Sequence, residues 1–447
     1  MSVNNPPDLL KGDPVKTLIA LSVPAIILNI LKAGYNIVDM FWLGKLGKEY
    51  LAGVSASIFL VWGMHGLASF TTVGIVAGIS RNIGEGKIEL ARSNTWLSLK
   101  YSLILGLILT FFLYPLINPL VEMIHLDNIA HKAGIEYLQI IISFMVVSFL
   151  MFALHSIMIA WGDTKTPVKV YAATFILNIF LSPLLMLGIG PFPRLETKGA
   201  AIATVISYFI GSAVFFTVIL KNRWVSFNKV GFEMPFKKYI MIGYPVALSS
   251  MFFSFIYFFI AKITALFGSN AVGAMGIGHK IESLAYFFSH GIAAGLSTFT
   301  GRNLGAGMEE RVKIGTMASL KFVTVISMLY SLFTFIFAPQ LVSIFNSDPG
   351  LVAEGAKYVR IVMPVEFLQS ILMAIEFGAF SGAGYTKPSF YVSLPVIFLR
   401  IPLAWLLAVY CGFNASGIWF TIASTMALNS LIFIFLFKKE RWMKTKI

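Results

Sequence analysis

The chain contains itself twice, and that limits what it can fold into more than any other feature. Pro24 recurs as Pro245, Arg81-Asn82 as Arg302-Asn303, Ser98-Leu99-Lys100 as Ser319-Leu320-Lys321, and Tyr137 as Tyr358. Each recurrence lies 221 residues on, as from Arg81 to Arg302, and the register survives with few gaps to Pro167 and Pro388. Shared apolar composition carries no register, so it cannot produce a constant interval over so long a stretch. The halves are one duplicated unit running in the same direction.

Composition says what kind of unit it is. With 57% hydrophobic and 12% charged residues, against roughly 25% charged in soluble proteins, the chain is an integral membrane protein. A bilayer crossing needs about 20 apolar residues. About twelve such stretches run at 16–41, 51–78, 94–121, 133–160, 168–190 and 199–220, then 238–266, 271–299, 314–340, 353–382, 388–411 and 415–437. Pro24, Pro115, Pro245 and Pro395 fall inside them and predict kinks, because neighbours in a membrane bundle can satisfy the freed carbonyls. A membrane β-barrel is excluded, since its strands would alternate over about ten residues.

The net charge of +14 invites a nucleic-acid reading, but its distribution argues against one. With both termini cytoplasmic, the inner segments hold about 21 Lys and Arg and the outer loops about six, which is the positive-inside pattern of a multi-pass protein of the cytoplasmic membrane. The N-terminus shows no small-residue cleavage site, so no removable signal peptide is expected. The lone Cys411 excludes an internal disulfide and carries no metal or redox pattern, so no cofactor is expected. The halves divide into residues 1–223, with helices 1–6, and 224–447, with helices 7–12, joined by a basic loop at 221–237. Parallel repeated lobes are the architecture of alternating-access transporters; a duplicated scaffold without transport is the plainer alternative. No HExxH, GxSxG, aspartate-rich diphosphate motif or P-loop is present, so the chain reads as neither an enzyme nor an ATP-driven pump.

The short segments between spans carry a resemblance. Gly162-Asp163-Thr164-Lys165-Thr166-Pro167 closes the fourth span and Gly382-Ala383-Gly384-Tyr385-Thr386-Lys387-Pro388 the tenth. Arg81-Asn82-Ile83-Gly84 and Arg302-Asn303-Leu304-Gly305 follow the second and eighth. Tyr35-Asn36-Ile37-Val38-Asp39 and Trp42-Leu43-Gly44-Lys45-Leu46-Gly47 lie in the first, Leu177-Asn178-Ile179 in the fifth, and Gly199-Ala200-Ala201-Ile202-Ala203-Thr204 in the sixth. In order, spacing and duplication, over essentially the whole chain, these resemble the multidrug and toxic compound extrusion (MATE) family of cation-coupled exporters. The resemblance implies an all-α membrane protein whose two six-helix lobes form an outward-opening V. It further implies exchange of small organic cations, drugs and toxic compounds for inward-moving H⁺ or Na⁺, by a monomer whose partners are the lipid bilayer and its substrates. The family's first-span aspartate, fifth-span asparagine and sixth-span threonine match Asp39, Asn178 and Thr204. Where many members carry a second aspartate, four residues after that asparagine, this chain has Ser182, which favours protons over Na⁺.

Ionisable residues inside the membrane are the candidate sites, since an ionised side chain at the bilayer centre costs about 2.5–3.5 kcal/mol. Helical spacing puts Lys32, Tyr35 and Asn36 near the face of Asp39. Asp39 is expected to bind and release the coupling ion, the alternative being a static pair with Lys32. In the second half, Glu366-Phe367-Leu368-Gln369 is similar to the acid-x-x-glutamine of family members with a C-lobe site. Glu282, with His279 and Tyr286 a turn to either side, and Glu376 are further substrate or proton candidates. Arg400, deep in the eleventh span, joins the substrate or proton candidates, and is a static partner for Glu282 or Glu376 in the alternative reading. His155 occupies the repeat position of Glu376 and reads as scaffold before proton shuttle. Lys100 and Lys321 are expected to snorkel to headgroups; in the Arg-Asn-x-Gly segments Gly84 and Gly305 are expected to end their helices and Arg81 and Arg302 to meet the inner headgroups. Met151, Phe152, Met373 and Phe377 are candidates for an apolar pocket for flat cations.

Three other classes compete. A lipid-linked oligosaccharide flippase of the same superfamily would carry extra spans or a basic cavity, whereas the candidates here are mostly acidic. A major-facilitator carrier would show an Asp-Arg pair followed by Gly-Arg-Arg, which Arg81-Asn82-Ile83-Gly84-Glu85-Gly86-Lys87 lacks. A membrane enzyme would need a catalytic constellation.

Overall fold

The computed structural model describes residues 9–122, 128–228, 234–345 and 348–445, and among them there is no strand. Twelve helical rods follow one another at the places the apolar stretches predict. In the first half these are α1 (Pro14–Leu46), α2 (Lys48–Leu67 continuing as Ser69–Gly84), α3 (Ile88–Glu122), α4 (Asn128–Ser143 continuing as Met145–Ala160), α5 (Lys165–Leu187) and α6 (Glu196–Lys221). In the second they are α7 (Phe236–Ala265), α8 (Ser269–Gly305), α9 (Glu309–Ile336), α10 (Pro349–Ala383), α11 (Ser389–Tyr410) and α12 (Asn414–Lys438). Among the described residues nine helices are long and apolar enough to cross a membrane, and α4, bent by 55°, makes a tenth. The rod α8 is long but carries His279, Lys280, Glu282 and His290, which dilute its apolar character.

The duplication reaches individual hydrogen bonds. After α2, Glu85 N–H donates to Arg81 O at 2.9 Å, Gly86 to Ile83 at 3.1 Å and Lys87 to Asn82 at 2.9 Å. After α8, Ala306 donates to Arg302 at 3.1 Å, Gly307 to Leu304 at 3.0 Å and Met308 to Asn303 at 2.8 Å. Both ends close on a left-handed glycine, Gly86 at φ 74° and Gly307 at φ 72°, the glycine-terminated helix stop that satisfies the last carbonyls. The sequence pointed to Gly84 and Gly305 for this role, but those are the last helical residues and the turn lies two residues on. Arg302 is also only 2% exposed, so it does not meet the headgroups as expected. Arg81, half-buried, pairs with Glu85 at 3.3 Å.

The register slips by one residue in one place. The interval is 221 from Tyr137 to Tyr358, becomes 222 from Gly162 to Gly384, and returns to 221 at Pro167 and Pro388. The shorter Gly384–Pro388 turn restores it. The extra residue therefore falls in α10, where the backbone between Ala374 and Phe380 widens into a π-helix. The equivalent Met145–Ala160 segment of α4 is uninterrupted α-helix. A second π turn, Ser389–Ser393, opens α11.

Two compact units emerge from the packing. Ile27–Ala247 belong to the first, and Lys11–Ile26 with Leu248–Ile447 to the second. The repeat-related helices α1 and α7 are thus each divided, two residues after Pro24 and Pro245. Glycines admit the exchanged pieces. A Cβ on Gly291 would stand 2.7 Å from the Ile26 backbone in the second unit, and one on Gly243 would stand 2.2 Å from Ser69 O in the first. The second unit's core is built on Trp419, Tyr358, Ile418 and Met363, each buried.

Candidate functional site

In the first unit the structure brings three predicted residues together from three helices. Ser182 Oγ donates to Asp39 Oδ1 at 2.8 Å, and Thr204 Oγ1 to Asp39 Oδ2 at 3.3 Å. Asn178, one turn before Ser182 on α5, is fully buried, and both polar atoms of its amide are unpaired among the described residues. Phenols of Tyr137 on α4 and Tyr208 on α6 lie within electrostatic reach of Asp39. Neither tyrosine was singled out from the sequence as a site residue, although Tyr137 was visible as a repeat mate. The side chains of Lys32, Tyr35 and Asn36 lie outside the described residues. Asp39 therefore sits among two hydroxyls and two phenols, with no cation within 4 Å among the described residues. This set can hold a proton or a small cation.

The second unit carries two separate acidic clusters. In the first, Tyr358 Oη donates to Glu282 Oε1 at 2.6 Å, and His279 Nδ1 lies 3.1 Å from Glu282 Oε2 and 3.4 Å from Tyr358 Oη. Glu366, 3% exposed, lies within electrostatic reach of Glu282; Gln369, one turn on, is half-buried. Repeat-related Tyr137 and Tyr358 thus each face a carboxylate of their own unit. Arg400 does not pair with Glu282 or Glu376. Its Nε donates to Thr425 Oγ1 at 2.7 Å and its Nη1 to Tyr257 Oη at 2.8 Å, with its guanidinium 5.5 Å from the Tyr257 ring. A cation–π contact and two neutral oxygens stand where the alternative reading put an ion pair, since Tyr257 on α7 and Thr425 on α12 take the guanidinium N–H groups.

The second cluster surrounds Glu376, 5% exposed, on the π-helical stretch of α10. Ser393 Oγ donates to Glu376 Oε1 at 3.4 Å, Ser389 lies within electrostatic reach of the carboxyl, and Asn429 Nδ2 donates to Ser393 Oγ at 3.3 Å. These hydroxyls and this amide gave no signal in sequence, where serines in apolar spans are common. Elsewhere, His155 stacks edge-on with Tyr171 at 5.7 Å. Lys100 is exposed over Trp96 at 4.9 Å, as a snorkelling lysine would be. Met151 and Met373 are buried, while Phe152 packs on His65 and Tyr208, and Phe377 on His290. Among the described residues no group of three or more His, Cys, Asp or Glu could hold a metal ion.

Comparison with known proteins agrees with this frame. The MatE family model matches residues 24–184 and 245–406, once in each half. The chain is 28% identical over 442 residues to a probable multidrug resistance protein NorM of Thermotoga maritima, covering 97% of this chain and 94% of that one. It is also 28% identical over 409 residues to an FAD transporter of Shewanella oneidensis, covering 89% and 88%. Among solved structures, a MOP-superfamily transporter from Pyrococcus furiosus superposes with a TM-score of 0.90 at 24% identity, over 100% of both chains. The two-lobe helical fold is shared, and the relatives named for their activity are transporters of small molecules across membranes, not enzymes. The chain belongs to the multidrug and toxic compound extrusion (MATE) family.

Proposed function

We propose that the protein is a cation-coupled antiporter that exports organic cations, drugs and toxic compounds across the cytoplasmic membrane. In this reading it works as a monomer with both termini inside. Asp39 is the carboxylate that takes up and releases the coupling ion. The observation that carries the reading is the surroundings of Asp39: two hydroxyls at 2.8 and 3.3 Å and two phenols within electrostatic reach, with no cation within 4 Å among the described residues. A carboxylate kept inside the bilayer against the insertion cost without a fixed counter-ion is suited to exchanging one. With Ser182 in place of a second carboxylate the site holds a single negative charge, and hard metal cations gain affinity from charged oxygens. The proton is therefore the favoured coupling ion. Glu282 and Glu366 supply attraction for cationic substrates in the second unit.

A second reading has specific support. The Shewanella relative is named an FAD transporter, and Arg400 offers a buried guanidinium with no carboxylate within 4 Å among the described residues. That group suits the phosphates of an anionic substrate.

The test is gradient-driven efflux from sealed vesicles, with a fluorescent organic cation and FAD as alternative cargoes. Asp39→Asn keeps the size of the side chain and removes its titration, so efflux should stop while the protein remains folded and inserted. Wild-type efflux by this variant would remove Asp39 from the mechanism. FAD efflux without organic-cation efflux would favour the second reading.

A further inference from the structure

The Glu376 cluster is distinct from the Asp39 site and from the Glu282–Glu366 cluster, and three observations about it converge. The first is the backbone. Glu376 lies on a π-helical stretch produced by one residue that the first half lacks, and Ser389 and Ser393 lie on a second π turn. A π turn gives up good α-helical hydrogen-bond geometry and is found mostly at functional sites. Here two face each other across one carboxylate. The Ser389 side is fastened from α7, where Ser249 Oγ donates to Ser389 O. On the other side, Ser381 Oγ donates to the Glu376 carbonyl at 2.9 Å.

The second observation is the missing counter-charge. The groups facing Glu376 are the hydroxyls of Ser389 and Ser393 from α11, Asn429 from α12, and the Tyr286 phenol from α8, on which His290 stacks at 5.7 Å. No lysine, arginine or histidine pairs with Glu376 among the described residues. The third observation is an unsatisfied acceptor. Asn429 is 6% exposed and spends its amide N–H on Ser393, while its Oδ1 is buried with no hydrogen-bond partner. Turning the amide over only exchanges which of its two polar atoms is left unpaired. An unpaired buried polar atom is costly to keep.

The one oxygen–oxygen spacing at the carboxyl is informative. Ser393 Oγ stands 3.4 Å from the carboxylate, well beyond the 2.7–2.8 Å of a strong O–H···O bond. Oxygens at right angles around a hard cation bound at about 2.4 Å stand about 3.4 Å apart. We propose that Glu376, Ser389, Ser393 and Asn429 form a binding site for a hard monovalent cation, Na⁺ in size and charge. The carboxylate neutralises the ion, and the two hydroxyls and the Asn429 amide oxygen complete its shell. The site deepens the antiporter reading by adding an ion site in the second unit, and it does not depend on which ion Asp39 carries.

Equilibrium binding of ²²Na⁺ to the purified full-length protein in detergent tests this without transport. The wild type should bind Na⁺ saturably, and Glu376→Gln should lose one Na⁺ per chain. Ser393→Ala and Asn429→Ala should weaken that site by about tenfold or more, while Glu376→Asp should keep it at reduced affinity, showing that the loss in Glu376→Gln is not misfolding. Asp39→Asn should leave it in place. The proposal is overturned if Glu376→Gln binds as much Na⁺ as the wild type, if Asp39→Asn rather than Glu376→Gln removes the site, or if the wild type binds no Na⁺ at any pH tested. An Asp39→Asn protein that still binds Na⁺ through Glu376 but also still exports would refute the Asp39 reading and leave this one standing.

Discussion

Gly278 offers a sharp test of the second unit's acidic cluster, because its place in the packing sets both the size and the cause of the effect. A Cβ on Gly278 would stand 2.2 Å from Tyr358 Cδ1 and 2.3 Å from Cε1. The ring has little room to retreat: it is fully buried, edge-on to Trp419 at 4.7 Å, and tied through its hydroxyl to Glu282 at 2.6 Å. Gly278→Ala should displace the ring. Overpacking contributes about 1–3 kcal/mol and loss of a hydrogen bond to a charged group about 1.5–3 kcal/mol, offset by about 0.5–1 kcal/mol from removing a mid-helix glycine. The net destabilisation is about 1.5–5.5 kcal/mol. Gly276, on the same helix, has nothing within 4 Å of its Cβ position, so Gly276→Ala should be neutral or slightly stabilising. Thermal unfolding of the detergent-purified protein compares the two, with Tyr358→Ala as a third background in which the added methyl has space. If Gly278→Ala unfolds together with Gly276→Ala, or costs as much when Tyr358 is already alanine, the placement of Tyr358 over Gly278 is wrong.

Other positions give shorter tests. Gly243→Ala should destabilise the first unit more than Gly63→Ala in the same thermal assay, because its Cβ would meet the carbonyl oxygens of Ser69 and Phe70, whereas Gly63 faces open space. Asp13 caps the start of α1 by accepting from the N–H groups of Lys16 and Val15, chiefly the former, and these bonds hold its carboxyl below its ordinary value of 3.8. That contribution is complete above pH 3.8 and is lost as the pH falls through the lower folded value, so amide exchange at Val15 and Lys16 should speed up only at such acid pH. Arg400→Lys should weaken binding of anionic cargo more than of cationic cargo, since lysine cannot keep both the Thr425 and Tyr257 bonds; equal loss for both, read by equilibrium binding, would make Arg400 a packing residue.

The rods and their order were legible because hydrophobic length and the repeat are one-dimensional signals. Asp39, Asn178, Ser182 and Thr204 were legible as positions through the family resemblance, and helical spacing alone could not have brought α1, α5 and α6 to one carboxylate. The ion pair that the alternative reading gave Arg400 is not formed, because sequence shows charge but not Tyr257 and Thr425 on neighbouring helices. The π turn was present in the sequence as a register slip between Tyr358 and Gly384, which passes unseen when the repeat is followed only at its best-matched residues. Asn429, Ser389 and Ser393 were hidden for a different reason. Single small polar residues in apolar spans usually bond their own helix backbone, as Ser430 does with Met426, and only packing shows which of them face a carboxyl.

The most direct test of the account is ion-coupled efflux in reconstituted vesicles that carry one imposed gradient at a time. A pH gradient alone, in Na⁺-free buffer, should drive export of a fluorescent organic cation by the wild type and not by Asp39→Asn, and Ser182→Asp should make export sensitive to Na⁺. Export that strictly requires Na⁺ at every pH tested would contradict proton coupling at Asp39. Export that draws on neither gradient would contradict cation-coupled antiport itself.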